Sequence, residues 1–141
     1  MKRARFKLPK TTYYRYTLDC GDITYVGVTS NPLRRFKQHD MGIGSSITKY
    51  HPPRKVLKVE RLGYMTYFQA TRYENALTLI GLLSDRNYRG GSWCGSKPPS
   101  PSVVRSRLKR LKPLIKTFPT VNITYKFTRT DPLINGYIKT V

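Results

Sequence analysis

Residues 12–32 read TYYRYTLDCGDITYVGVTSNP, and this stretch decides the fold. Tyr13 to Leu18 carries Tyr, Thr and Leu at the density of a β-strand, and Ile23 to Val28 is β-branched and aromatic. Between them Asp19-Cys20-Gly21-Asp22 is a turn, so the stretch predicts a β-hairpin. Ser30-Asn31-Pro32 is a helix start, a side-chain cap followed by Pro at the first helical position. Leu33 and Phe36 are the expected buried positions of a short helix that ends near Asp40.

Working outward, Met41 to His51 is a Gly/Ser-rich loop with one helical turn expected around Ile47, closed by Pro52-Pro53. Val56 to Met65 reads as a third strand. Tyr67 to Asp85 is expected to be the longest helix, with Tyr73, Ala76 or Leu77, Ile80 and Leu83 as its apolar stripe. Asn87 to Pro101 is loop. Ser102 to Lys112 is amphipathic, with Val104, Leu108 and Leu111 in one stripe, and Pro113 stops it. Val121 to Thr128 alternates apolar and polar residues, the pattern of a half-buried strand. The order β-β-α-β-α-α-β predicts an α+β fold: a small antiparallel or mixed sheet flanked by helices, with a C-terminal basic helix and an extra strand. The expected organisation is a basic arm over 1–11, a core over 12–94, and a helix–strand extension over 95–141 packed on that core.

Charge narrows the function. The 141 residues hold 27 Lys and Arg against 7 Asp and Glu, a formal net charge of +20. Such a chain attracts polyanions over long range, and nucleic acid is the commonest of them. No apolar run is long enough to span a bilayer, no apolar stretch follows the basic N-terminus as in a secretory signal, and no isolated basic amphipathic helix has a lipid face. Cys20 and Cys94 lack zinc spacing and read as free thiols of a reducing cytoplasm. The expected location is therefore cytoplasmic, with no membrane partner. Seven acids are too few for a carboxylate cluster around a metal pair, so a metal here must lean on one or two carboxylates, which suits Mg²⁺ keeping several waters.

The candidate chemistry gathers around the hairpin. Tyr14 lies on the first strand, and Tyr25-Val26-Gly27 ends the second. Arg35 and His39, at i and i+4, share one face of the following helix. Glu74 sits on the long helix in a row of Tyr67, Ala70, Leu77 or Thr78, and Gly81. A carboxylate on such a row is costly unless a metal or an Arg pairs with it. Each residue alone also has a plain reading: core tyrosines, a solvated Arg, a surface His, half of an ion pair.

Taken jointly, this spacing resembles the GIY-YIG nuclease superfamily over roughly residues 12 to 90. The first-motif Tyr is matched by Tyr14 in Thr12-Tyr13-Tyr14, and the second motif by Tyr25-Val26-Gly27. The family's Arg lands on Arg35, its frequent His on His39, its metal-binding Glu on Glu74, and a downstream Asn on Asn87. Thr12 stands in place of the first motif's Gly, and Val28 stands where repair-type members often carry Lys. The Ser45-Ser46 loop resembles phage homing-endonuclease members. What the resemblance implies is a Mg²⁺-dependent DNA endonuclease, with Mn²⁺ as an alternative metal, acting on double-stranded DNA and using a homodimer if it cuts both strands. In chemical terms, a Tyr would orient or deprotonate water, Arg35 would hold a phosphoryl oxygen, and Glu74 would hold the metal. Arg34, Lys37, Lys49, Arg105, Arg107, Lys109, Arg110 and Lys112 are the expected DNA-backbone contacts. A catalytically silent nucleic-acid-binding protein on the same fold, or a basic RNA-binding protein, would account for the charge without the chemistry.

Overall fold

The computed structural model describes residues 8–134 and 137–138. Strand β1 (Lys10–Cys20) and β2 (Ile23–Thr29) form the hairpin, joined through Gly21 and Asp22. Gly21 takes φ of +79°, which glycine adopts without the Cβ penalty, and this permits so tight a turn. Strand β3 (Lys55–Thr66) pairs antiparallel with the other edge of β1, and β4 (Tyr88–Gly90) pairs parallel with β2. The result is a four-stranded mixed sheet in the order β3-β1-β2-β4. The fold is α+β, a small mixed sheet flanked by helices, as the pattern of elements predicts.

Helix α1 (Pro32–Asp40) begins where expected: the Asn31 side chain accepts from the Arg34 N–H, and Pro32 occupies the first turn. It buries Pro32, Phe36, His39 and Asp40, whereas Leu33 is 54 % exposed. The expectation for Leu33 therefore fails, because the face that meets the sheet runs through Phe36 and His39. A short α2 (Ser46–Tyr50) follows. Helix α3 (Tyr67–Ser84) opens with a capping box between Thr66 and Gln69. Its buried residues are Ala70, Glu74, Ala76, Thr78, Leu79, Gly81 and Leu82, and Leu83 is exposed. The predicted single stripe was wrong because α3 is covered twice. One side meets the sheet through Ala70, beside Val28 and Leu62. The other meets α4 (Pro101–Leu111), whose Val104 and Leu108 pack on Leu79 and Leu82. A helix buried on two sides shows no clean 3.6-residue stripe.

The segment after a 3-10 turn (Lys112–Leu114) corrects a second expectation. Residues 121–128 alternate in burial but form no strand. Only Pro119 and Val121 hydrogen-bond to the β3 edge, at Arg61 and Val59. Beyond them the chain leaves the edge and lays Val121, Ile123, Tyr125 and Phe127 against the Tyr16/Leu18/Phe36 cluster on the sheet face. A period of two reports alternate burial, which an unladdered extended segment satisfies equally well. The only terminal strand pair among the described residues is β5 (Leu133–Ile134) with β6 (Tyr137–Ile138), separate from the main sheet. Of the expected basic arm, residues 1–7 lie outside the described residues, and Lys10 and Thr11 open β1. No helix among the described residues is long and apolar enough to cross a membrane.

Candidate active site

The centre of the site is Tyr16. Its hydroxyl lies 2.6 Å from His39 Nε2 and accepts from Arg35 Nε at 3.4 Å. Fully buried, the ring packs edge-on against Phe36 and tilted against Tyr25. Gly27 makes this possible. It is the cross-strand partner of Tyr16, and a Cβ there would overlap the Tyr16 hydroxyl and come within 2.8 Å of its Cε2. The glycine of the Tyr-x-Gly motif is thus the floor on which the tyrosine ring lies.

Tyr14, the expected first-strand residue, does not enter this cluster; it is half-buried at the periphery of the core. The correction has a physical origin. Residues 14 and 16 share a strand face, and the turn decides between them. Read as four residues, it leaves the register open. Closed as the two-residue Gly21-Asp22 loop, it sets Cys20 against Ile23 and therefore Tyr16 against Gly27. A Gly opposite a Tyr was the available signal.

His39 is fully buried between Tyr16 and Thr48 Oγ1, the latter 2.7 Å from Nδ1. Because Tyr16 already accepts from Arg35, its own proton is directed at His39 Nε2, which assigns the Nδ1–H tautomer to the imidazole. Burial, reinforced by Arg35 and Arg129, pushes the His39 pKa down from 6.5 to about 3, so the ring is neutral at pH 7. Its place is behind the tyrosine, as an orienting partner. Arg35 is anchored by the Gly44 carbonyl at 2.7 Å and Gln38 Oε1 at 3.0 Å.

Arg129, far along the chain, braces this layer. Its guanidinium donates to the carbonyls of His39, Asp40, Thr48, Lys49 and Asp131. Asp40 in turn accepts from the Thr128 and Arg129 N–H groups. Burial alone would raise the Asp40 pKa, but these donors outweigh it and hold the carboxyl below its ordinary value.

Glu74 reaches the same place from α3. Strand β4 pairs with β2 only as far as Val26, so the outer edge of β2 beyond it has no strand partner. The Val28 N–H on that edge donates to Glu74. Glu74 makes no salt bridge among the described residues, and burial lifts its pKa from 4.5 to about 7, with Val28 and Arg35 opposing. The backbone turns away at Gly91, φ +51°, where a Cβ would lie 2.8 Å from Glu74 Oε1. The mouth between these elements is a cleft of about 430 Å³ lined by Tyr16, Tyr25, Arg35, Glu74, Asn75 and Ser92, with Tyr67 and Phe68 at one rim. Both tyrosines have raised pKa values, Tyr16 by burial and then the neighbouring Tyr25, Tyr25 by burial and then Glu74.

The raised carboxylate and the depressed imidazole act oppositely on stability. Between 4.5 and about 7 the folded chain holds a Glu74 proton that the unfolded chain has released, so stability falls as pH rises. Between about 3 and 6.5 the unfolded chain holds a His39 proton that the folded chain refuses, so stability falls as pH falls. Where the windows overlap, the two slopes offset each other.

The remaining expected residues divide. Asn87 is exposed and outside the cleft; its carbonyl accepts from Thr24 and its N–H donates to Asp85 Oδ1, so it shapes the turn into β4. The amide that lines the cleft is Asn75, whose Oδ1 accepts from the Ser92 N–H at 3.0 Å. Arg34 is exposed in an adjoining groove of about 340 Å³ with Arg35, Gln38, Asn31 and Tyr67. Lys37 is exposed, and Lys49 is half-buried over the Tyr50 ring. Arg105, Arg107, Lys109, Arg110 and Lys112 all face outward from α4 and its end.

For a divalent metal the donor set is one buried carboxylate opening on a polar cleft. No group of three or more His, Cys, Asp or Glu is assembled among the described residues. One carboxylate held in no salt bridge among the described residues fits Mg²⁺, which retains most of its waters.

A family model of the GIY-YIG catalytic domain matches residues 10–85. The chain is 34 % identical over 68 residues to a UPF0213 protein of Enterococcus faecalis, covering 48 % of this chain and 77 % of that protein. It is 41 % identical over 46 residues to a UPF0213 protein of Cupriavidus pinatubonensis, 32 % of this chain and 51 % of that one. With a UPF0213 protein of Natronomonas pharaonis it shares 40 % identity over 50 residues, 35 % of this chain and 59 % of that one. For the Cupriavidus and Natronomonas relatives the match thus spans little more than half their length. No solved structure matches.

Proposed function

The chain belongs to the GIY-YIG catalytic domain family, and from that premise we propose that it is a Mg²⁺-dependent endonuclease that hydrolyses phosphodiester bonds of DNA. The observation that carries this reading is the convergence of Tyr16, Tyr25, Arg35 and Glu74 on one cleft. Glu74 holds the metal, with Mn²⁺ as an alternative, and the metal when bound supplies charge neutralisation at the leaving oxygen. Arg35, fixed by Gly44 and Gln38, presents a permanent charge to a phosphoryl oxygen. The Tyr16 hydroxyl, its proton directed at His39, lines the cleft and would orient the attacking water; to deprotonate that water it must first pass its own proton to His39 Nε2. The raised tyrosine pKa values mean that base catalysis needs added positive charge, from the metal and Arg35, before a phenolate becomes accessible.

Cations outside the cleft supply most of the affinity for the backbone, those of α4 among them. A phage or mobile-element enzyme is the setting we favour within this activity, on the resemblance of Ser45-Ser46, and a homodimer would serve double-strand cutting. The test is purified protein with supercoiled plasmid and with single-stranded circles. Nicked or linear product is expected with Mg²⁺ and none with chelator. No cleavage of any DNA form with Mg²⁺ or Mn²⁺ would overturn the reading in favour of a nucleic-acid-binding protein on the same fold.

A further inference from the structure

One rim of the cleft is apolar and exposed, which the chemistry above does not use. Tyr67 and Phe68 are 61 % and 71 % exposed, and Leu8, which shares a recess with them, is 63 % exposed. Large apolar side chains gathered at one place on a surface signal a partner. The backbone that carries them is held in place. Tyr67 and Phe68 occupy the first turn of α3, fixed by the Thr66–Gln69 capping box, and Tyr67 leans on Tyr13 with ring centroids 6.0 Å apart.

Tyr67 is common to three adjoining hollows. It lines the catalytic cleft with Arg35 and Glu74, the groove with Arg34 and Arg35, and an apolar recess of about 360 Å³ with Leu8, Tyr13 and Phe68 beside Lys10. A strand whose phosphate lies at Arg35 therefore has these rings alongside it. A chain of net charge +20 selects a polyanion. Within a duplex, however, both faces of each base are covered by its neighbours and offer nothing to an aromatic ring. Only an unstacked base can use the rim.

We propose that Tyr67 and Phe68 form a stacking platform for an unpaired nucleobase beside the scissile phosphate, so that the preferred substrate is DNA with a single-stranded or frayed nucleotide at the cut. The position of the phosphate rests on the endonuclease reading; the stacking itself does not. It adds an unpaired nucleotide to the double-stranded DNA expected from the sequence.

The test is a binding measurement on the full chain in chelator, so that its failure is separable from failure of cleavage. The probes are short DNA oligonucleotides carrying 2-aminopurine, single-stranded or fully paired. Single strands should bind with quenching of the probe, as a stacked fluorophore requires. Tyr67→Leu and Phe68→Leu should each weaken single-strand binding about five- to a hundredfold and relieve the quenching, with little change for the duplex. Tyr67→Phe and Phe68→Tyr, which keep the rings, should bind as wild type. Equal losses on single strand and duplex would overturn the proposal, as would unquenched binding. Dimerisation that Phe68→Ser abolishes, with no quenching, would assign the rim to a second copy of the chain instead.

Discussion

Exchanging one hydroxyl at a time separates Tyr16 from Tyr14, and the structure fixes what each exchange should do. Tyr16→Phe keeps the ring on Gly27 but removes the group that meets His39 at 2.6 Å and Arg35 at 3.4 Å. His39 Nε2 is then buried with no partner, since Thr48 occupies only Nδ1. Orphaning a buried polar group costs about 1–3 kcal/mol of stability. For a domain of this size that is a fall in Tm of roughly 3–10 °C. The same change frees Arg35 from one of its three holds and removes the oxygen that, in the proposed reaction, would face the attacking water. Loss of one preorganised polar group in an active site costs about 10²–10³ in rate. Tyr14→Phe removes a hydroxyl that makes no hydrogen bond among the described residues, and should change stability by no more than about 0.5 kcal/mol. Initial rates of plasmid nicking under Mg²⁺, with thermal melts of all three proteins, make the comparison. An active Tyr16→Phe beside an inactive Tyr14→Phe would refute the assignment of Tyr16 and return the role to Tyr14, the residue expected from the sequence.

Gly27→Ala should act almost as severely, because its methyl overlaps the Tyr16 ring, which Phe36 and Tyr25 prevent from retreating. We expect about 1–3 kcal/mol of destabilisation and roughly a hundredfold loss of nicking from a displacement near 1 Å; wild-type urea midpoint and rate would contradict it. Glu74→Gln in chelator should uncover the His39 slope, its unfolding free energy from urea melts rising between pH 5 and 6.5 by about 1 kcal/mol per pH unit while wild type stays nearly flat. Above pH 7 the variant should be the more stable protein although inactive, and a parallel pH dependence of the two proteins would sink the opposed-titration argument. Replacing Arg105, Lys109 and Lys112 together with Ala should weaken binding to all sequences alike and flatten the salt slope by roughly 2–3 units. An unchanged slope would make the outer face of α4 merely solvated.

The sequence by itself determined the elements whose causes are local. The hairpin followed from strand density around a Gly turn, and α1 from Asn31 capping a helix that begins at Pro32. The outward cations of α4 followed from a stripe of Val104 and Leu108 that could only dock on one side. Arg35, His39 and Glu74 were legible as candidates because spacing along a helix fixes which residues share a face, and a carboxylate on an apolar row needs an explanation. The structure decided which tyrosine they meet, because the turn read as four residues left the hairpin register open. Residues 14 and 16 point the same way, and only the pairing of Cys20 with Ile23 sets Tyr16 over Gly27. It also decided that α3 is buried on two sides, that residues 121–128 cover a face without joining the sheet, and that Arg129 ties down the carbonyls behind His39. Local patterns record the period of burial, but they carry no information about which surface does the burying. That surface is supplied by contacts tens of residues away, such as the 90 residues that separate Arg129 from His39.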